Sequence, residues 1–160
     1  MLRPITRTLA IVLTLPSLVL AAGPKDDEAK AVAVKVTTAG ASLFDAKDAP
    51  ALAATFTEEA RLEVTIKEKD TNKYNTEVKQ GRTQIEAYYR ELFKSDATYH
   101  AKNTIEFAKE IAPDLILFTG IFETDSQAAE PLKLPFIQVR KKNGEAWQVV
   151  SMQVFVVLDK

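Results

Sequence analysis

The order of apolar patterns along the chain predicts an α+β domain with helices packed on one face of a curved antiparallel sheet. Two helical patterns come first, and a strand hairpin follows them. A third helix then precedes four strands in a meander, which supply most of the sheet. The chain has 160 residues, enough for one domain with a real core, so no second domain is expected.

The third helix has the most distinct pattern and is expected to fill the concave side of the sheet. Apolar side chains over residues 81–93 recur at the spacing of one helical face. They are Ile85, Tyr88, Tyr89, Leu92 and Phe93. Thr83 and Glu86 have the spacing of a capping box, and Glu86 could alternatively pair with Arg90 one turn later.

The first helical pattern follows a short acidic segment. Acidic residues at 26–28 would stabilise the start of a helix. Apolar residues then follow at helical spacing, at Val32, Val36, Ala39 and Leu43. The valines at 32, 34 and 36 would also suit a strand, but the pattern is longer than a typical strand, so we predict a helix.

A second helix is predicted to begin at Asp48. Asp48 ahead of Pro50 is typical of a helix start, where the missing proline N–H costs little. The inner face of this helix would be formed by Leu52, Ala53 and Phe56. Residues 57–59 would end it.

The remaining patterns are those of strands and turns. Leu62, Val64 and Ile66 alternate with polar residues, which is typical of a half-buried strand. Residues 68–75 would form a polar hairpin tip, and the chain would return over residues 76–79. Later strands are predicted over residues 98–107, 115–124, 132–141 and 147–158. Their connections are a turn at Pro113-Asp114, a loop through Pro131 and a tight turn at Asn143-Gly144.

The last strand is apolar on both faces, whereas a sheet face open to water should be polar. One side would carry Val150, Met152, Val154 and Val156. The other side would carry Trp147, Val149 and Phe155. We therefore expect the helices to cover one face and a second copy of the protein to cover the other, as a homodimer. Long loops over the last strand are the alternative.

The N-terminal segment has the features of a secretory signal peptide over residues 1–22. Two arginines precede an apolar run over about residues 9–20, and small residues follow at 21–23. The run is shorter than the ~20 residues of a membrane span and contains Pro16, so an uncleaved anchor is less favoured. The mature domain, residues 23–160, is expected in the periplasm or outside the cell, away from the membrane.

Composition argues against several kinds of chemistry and partner. The chain has no cysteine, which excludes disulfide bonds and a cysteine-linked lipid anchor. Signal removal would lower the net charge from −1 to −3, and basic residues are dispersed among acids, so no nucleic-acid partner is expected. With one histidine, no cysteine and no nucleotide-binding motif, we expect no metal and no cofactor.

Three segments follow one another in an order that is typical of one superfamily. They run from Asp45-Ala46-Lys47-Asp48 to Glu58-Glu59-Ala60, from Gly81-Arg82 to Tyr88-Tyr89-Arg90, and from Trp147 to Gln153. They resemble the nuclear transport factor 2-like superfamily, and within it the SnoaL-like and ketosteroid-isomerase-like branch. The resemblance implies a cystatin-like cone, in which a strongly bent sheet wraps a long helix and leaves an apolar pocket.

The same resemblance argues against steroid isomerisation. Isomerases of this fold use a tyrosine, an aspartate base and a protonated aspartic acid. Those positions fall here on Gly40, on Val64, and on Phe136 or Ile137. These side chains can neither transfer a proton nor stabilise a dienolate. Glu63 is next to the base position and should point away from the pocket, because neighbouring strand residues face opposite sides.

The resemblance therefore implies a pocket with apolar walls and no assigned catalytic residue. The predicted ligand-binding residues are Phe44, Val64, Tyr88, Tyr89, Phe136, Met152 and Val156. The Tyr89 hydroxyl would need a hydrogen-bond partner if buried, and a Tyr-Tyr pair would equally suit core packing. His100 is interpreted as an ordinary strand residue rather than a general base.

These features favour an exported, non-catalytic SnoaL-like domain that binds a small apolar or amphipathic molecule in its cone. Two alternatives remain open, because this scaffold hosts many functions. One is an enzyme of isomerase, cyclase or hydrolase type that acts on a hydrophobic small molecule through Tyr89, His100 or pocket water. The other is an assembly module that dimerises through its sheet.

Overall fold

The computed structural model describes residues 24–68, 73–95, 99–126 and 129–157. Within these residues, three helices pack on one six-stranded sheet: α1 (Pro24–Asp45), α2 (Ala49–Ala54) and α3 (Arg82–Leu92). The strands are β1 (Phe56–Lys67), β2 (Tyr74–Gln80), β3 (Tyr99–Ala112), β4 (Leu115–Ser126), β5 (Ala129–Asn143) and β6 (Ala146–Val156). The α+β class and the order of elements are as predicted, and the signal peptide predicted at residues 1–22 lies outside the described residues.

The sheet is mixed rather than purely antiparallel. Its strand order is β2-β1-β6-β5-β4-β3. β1 runs parallel to β6, with Leu62 opposite Met152, and the other neighbouring pairs among the described strands are antiparallel. The prediction of a wholly antiparallel sheet is wrong on this point, because hairpin patterns do not show which early strand the last strand joins. This pairing places the hairpin and the meander in one continuous sheet.

Several predicted boundaries are also wrong, and β3 ends at Ala112 rather than at residue 107. Helix α2 is shorter than predicted, and Phe56 begins β1 together with residues 57–59. Phe56 is nevertheless buried, because the inner faces of α2 and β1 both meet the core. Pro131 lies within β5 rather than in a loop. The register with β4 shifts close by, between Thr124 and Ser126, and proline in a sheet is confined to such irregular or edge positions.

A β-bulge explains why β6 is apolar in both phases of its alternation. Arg140 pairs with Val149 and Val139 pairs with Ser151, so Val150 is the extra residue. The extra residue shifts the alternation and brings two apolar sets to the inner side. The inner residues are Trp147, Val149, Met152, Val154 and Val156. The two apolar sets of β6, from which a homodimer was predicted, therefore belong mainly to one inner face, and the register shift explains why they alternate out of phase.

The long helix of the fold is α1 and not the third helix. It has 22 residues, whereas α3 has 11. Helix α1 packs on β3 through small buried side chains at four-residue spacing, which are Ala29, Ala33, Thr37 and Ala41. Small side chains let the helix approach the sheet closely, so the valines at 32 and 36 remain only partly buried. Helix α3 covers the other half of the same face, over β1 and β2.

The Gly81-Arg82 pair fixes the start of α3 to β1. Gly81 has a φ angle of 81°, which favours glycine, and its N–H donates to a β1 carbonyl at 2.8 Å. Arg82 donates from Nε and Nη2 to Phe56 O at 3.1 and 2.7 Å. The predicted capping box is not formed, because Gly81 occupies the N-cap position. The alternative is present, since Arg90 Nη2 lies 2.6 Å from Glu86 Oε1.

Candidate functional site

Two small cavities lie between the helices and the inner face of the sheet. The first has a volume of about 60 Å³ and is partly polar. The second has a volume of about 90 Å³ and is almost wholly apolar. Tyr89, Phe122 and Met152 line both. These volumes are small compared with the pockets of drug-sized ligands, so an occupant would be on the scale of a single ring or a short chain.

Six of the seven predicted pocket residues line these cavities. The first cavity is lined by Phe44, Tyr89 and Met152. The second is lined by Val64, Tyr88, Tyr89, Met152 and Val156. Phe136 differs from the expectation, because it lies in the core outside both linings and packs edge-to-face on Phe118, with ring centroids 6.2 Å apart. That these residues bind a ligand stays a prediction.

Strand β5 supplies polar residues that the sequence analysis missed. Gln138 and Arg140 follow Phe136 at two-residue spacing on the inner side, where they are 6% and 5% exposed. The signal was present in the sequence, because alternation puts both residues on the side already assigned to Phe136. Asn103 on β3 and Thr55 after α2 add further polar groups to the first cavity.

Arg140 carries a buried guanidinium that has no carboxylate partner in the part of the chain that the structure describes. Its Nε donates to Gln138 Oε1 at 3.0 Å, and its Nη1 donates to Trp147 O at 3.0 Å. The guanidinium carbon lies 6.0 Å from the centroid of the Phe118 ring. Among the described residues, no Asp or Glu forms an ion pair with it. Burial lowers the pKa of Arg140 to about 10, although the nearby Tyr89 opposes this shift, so the side chain is charged at neutral pH.

Tyr89 is buried and lines both cavities. Its ring stacks on Phe93 at 5.9 Å and meets Tyr88 edge-to-face at 5.5 Å. The hydroxyl forms no hydrogen bond with any side chain or backbone group that the structure describes. Burial raises the pKa of Tyr89 far above its ordinary value, Tyr88 adds to the rise, and Arg140 opposes it. Tyr89 therefore stays neutral and offers an O–H donor.

The acid whose charge acts on Tyr88 is Glu77, which lies outside the two cavities. Glu77 pairs with Lys79 at 3.1 Å, and both line an open groove with Tyr88. Burial, followed by the charge of Glu77, raises the pKa of Tyr88. Val64 faces inward and is 6% exposed, and the alternation places Glu63 on the opposite side, as expected. The described residues that line the two cavities include no Asp, Glu or His, so the cavities offer donors but no general base.

Other candidate functional groups in the described part of the chain are few. His100 is exposed on β3 and lines neither cavity. No group of three His, Cys, Asp or Glu side chains in those residues is placed to hold a metal ion. Within the same residues, no helix combines the length and apolar character needed to cross a membrane.

Comparison with known proteins shows the fold. No family model and no curated protein matches the chain. One similar solved structure is a nuclear transport factor 2-like protein of unknown function from Shewanella oneidensis, with a TM-score of 0.63 and 13% identity. That match covers 79% of this chain and 98% of the other.

Two further solved structures agree with this fold. A ketosteroid isomerase-like protein from Erwinia carotovora atroseptica has a TM-score of 0.62 and 15% identity, and the match covers 85% of this chain and 98% of the other. A domain of unknown function with a cystatin-like fold from Nostoc punctiforme has a TM-score of 0.60 and 14% identity, over 82% and 79% of the two chains. The chain therefore has the nuclear transport factor 2-like fold that its sequence resemblance implied. Identities this low show the fold and not an activity.

Proposed function

We propose that the protein binds a small apolar or amphipathic molecule in its cone. The observation that carries this proposal is the partly enclosed apolar cavity of about 90 Å³, whose walls include Val64, Met152 and Val156. Ligand sites are typically apolar concavities with a few placed polar groups, and the adjoining cavity supplies such groups. The volume limits the ligand to about the size of one ring.

We further propose that the domain does not transform its ligand. By the sequence resemblance, the positions of the tyrosine and the two acids of steroid isomerases fall on Gly40, on Val64, and on Phe136 or Ile137. The polar groups beside the cavities, such as Arg140 and Tyr89, are donors at neutral pH. Proton abstraction needs a base within hydrogen-bond reach of the substrate, and the described linings contain neither a carboxylate nor an imidazole.

Export is the third part of the proposal, and it rests on the sequence. Residues 1–22 combine arginines, an apolar run and a small-residue end, as secretory signals do. Cell fractionation with N-terminal sequencing should find the mature protein in the periplasm or the medium, beginning near Gly23. Full-length protein in the cytoplasm would contradict export and leave the binding proposal unaffected.

Native mass spectrometry of the protein purified from its own host tests ligand binding. A small molecule should accompany the folded protein and leave it on denaturation. Val156→Phe should abolish the adduct because it fills the apolar cavity, whereas Val157→Phe, at an exposed neighbouring position, should retain it. Unliganded wild-type protein in repeated preparations would contradict the proposal.

A second proposal is a homodimer through the outer face of the sheet. Phe107 and Ile137 both lie opposite Thr119 in one cross-strand row, and they are 49% and 37% exposed. Exposed apolar clusters of this kind favour association. Sedimentation should give a dimer mass for the wild type and a monomer mass for the Phe107→Ser, Ile137→Ser variant. A wild-type monomer at micromolar concentration would exclude this assembly.

A further inference from the structure

The guanidinium of Arg140 has unused hydrogen-bonding capacity at the edge of the first cavity. An arginine side chain has five N–H groups, and two of them bond to Gln138 and to the Trp147 carbonyl. The other three have no acceptor among the described residues. Among the described residues, Thr124 Oγ1 is the one side-chain N or O atom that is both fully enclosed and without a hydrogen-bond partner. Arg140 Nη2 also lacks a partner there, so it is not fully enclosed and borders open space.

Among the described residues, no acid forms an ion pair with this guanidinium. Taking a charge out of water is costly unless an opposite charge or several hydrogen bonds replace the water. The described residues provide no carboxylate for Arg140, although the side chain is only 5% exposed. An anionic group of a ligand at this position would supply the missing partner.

The hydroxyl of Tyr89 is a second unused donor in the same cavity. Tyr89 and Arg140 both line the first cavity. A carboxylate can accept two parallel hydrogen bonds from a guanidinium and still accept one from a neutral hydroxyl. One carboxylate in this cavity could therefore accept hydrogen bonds from both Arg140 and Tyr89.

Arg140 also lies beside an open groove of about 550 Å³. Arg140 and Thr55 line both this groove and the first cavity. The charged residues of the groove are Lys35, Arg140, Lys142 and Glu145, which are three cations and one acid. A cleft lined mainly by one sign of charge raises the local concentration of oppositely charged ligands. The groove is thus suited to the entry of anions.

We propose that the ligand is a small amphipathic carboxylate, bound through its carboxylate to Arg140 and Tyr89 with its apolar part in the second cavity. This inference rests on the proposed binding function and specifies the ligand class. The two cavities adjoin at Met152, a flexible side chain that can adapt to a molecule spanning both. One guanidinium and a cavity of about 60 Å³ match a single negative charge.

Paired ligands that differ only in charge test the inference. Benzoate and benzamide have nearly the same shape, and hexanoate and hexanamide form a second, aliphatic pair. Calorimetry measures affinity, and the fluorescence of Trp147, the single tryptophan, reports the site because Trp147 lines the same groove as Arg140. Each acid should bind wild-type protein about tenfold or more tightly than its amide, with a preference that weakens at high salt.

Variants at Arg140 locate the charge that is responsible. Arg140→Gln keeps a polar side chain without charge and should bind acid and amide equally. Arg140→Lys keeps the charge without the planar fork and should show an intermediate preference. Lys109→Gln, an exposed position on β3 that lines neither cavity, should behave as wild type. Denaturation midpoints establish whether each variant is folded. If Arg140→Gln does not fold, the relative affinity of wild-type protein for acids and amides still tests the carboxylate inference.

The outcomes separate this inference from the binding function. Equal affinity of wild type for acids and amides would overturn the carboxylate inference and leave the binding function standing. An acid preference that persists in folded Arg140→Gln would overturn the assignment to Arg140. Failure of all four probes to bind, together with an unliganded native mass, would overturn both.

Discussion

Replacing Gly120 by alanine should force open the sheet at a bend that shapes the cone. Gly120 lies in β4 opposite Ile105, where β3 contains an extra residue before Phe107. Such a bulge bends the strand and increases its twist. A Cβ atom on Gly120 would lie 2.3 Å from Thr104 O and 3.1 Å from Phe136 Cζ. The bend therefore depends on the missing side chain.

The size of the effect follows from the distance that the backbone must move. Real Cβ atoms essentially never approach another atom closer than 3.0 Å, so the Thr104 carbonyl would have to retreat by about 0.7 Å or more. Overpacking of this kind costs ~1–3 kcal/mol, and a loosened ladder hydrogen bond adds about 1 kcal/mol. We expect Gly120→Ala to lower the free energy of unfolding by about 3 kcal/mol and Tm by roughly 6–12 °C.

Urea unfolding followed by circular dichroism measures this change, with Gly40→Ala as the matched control. Gly40 lies in α1, and a Cβ atom there would meet nothing within 4 Å. Alanine should stabilise the helix at that position by about 1 kcal/mol. Both substitutions replace glycine by alanine. The changes in the free energy of unfolding should nevertheless have opposite signs, because the surroundings of the two glycines differ. A Gly120→Ala variant as stable as wild type would refute the argument from close approach.

Three further substitutions test individual contacts. Arg82→Lys should lower the free energy of unfolding by about 1–2 kcal/mol, because lysine cannot donate two hydrogen bonds to Phe56 O. Arg90→Lys, at an exposed site on the same helix, should lower it by less than about 0.5 kcal/mol. Equal urea midpoints for the two variants would contradict this. Asp48→Ala should lower the free energy of unfolding by about 1 kcal/mol through loss of the α2 cap, whereas Asp48→Asn should retain most of the stability that the cap provides. An Asn variant as unstable as the Ala variant would argue against the cap. Tyr89→Phe should leave stability within about 0.5 kcal/mol of wild type, because the hydroxyl has no partner among the described residues, while benzoate binding weakens; a large loss of stability would reveal a structural bond.

Most of the fold could be predicted because local patterns determine it. The apolar stripe of α3 and the alternation in β1 indicated both element types and inward faces, and Ile85, Leu62 and Val64 are indeed buried. Asp48 marked the start of α2, where its side chain accepts from Ala51 N at 2.9 Å. These signals act within a few residues, so a single sequence contains them.

The predictions that were wrong or missing concern contacts between residues that are distant in sequence. The parallel pairing of β1 with β6 is decided by packing of the whole sheet, and no local signal marks it. The bulge at Val150 changed the side to which Trp147 and Val149 point, because one extra residue inverts the alternation. Arg140 was overlooked because a charged residue on a strand is usually solvated, although its spacing from Phe136 already placed it inside.

The structure of the protein crystallised with benzoate tests the central claim most directly. We expect the ring between Val64 and Met152, with the carboxylate oxygens within about 3 Å of the Arg140 guanidinium and of the Tyr89 hydroxyl. Benzoate bound only at surface lysines, beside cavities closed by their own side chains, would contradict it.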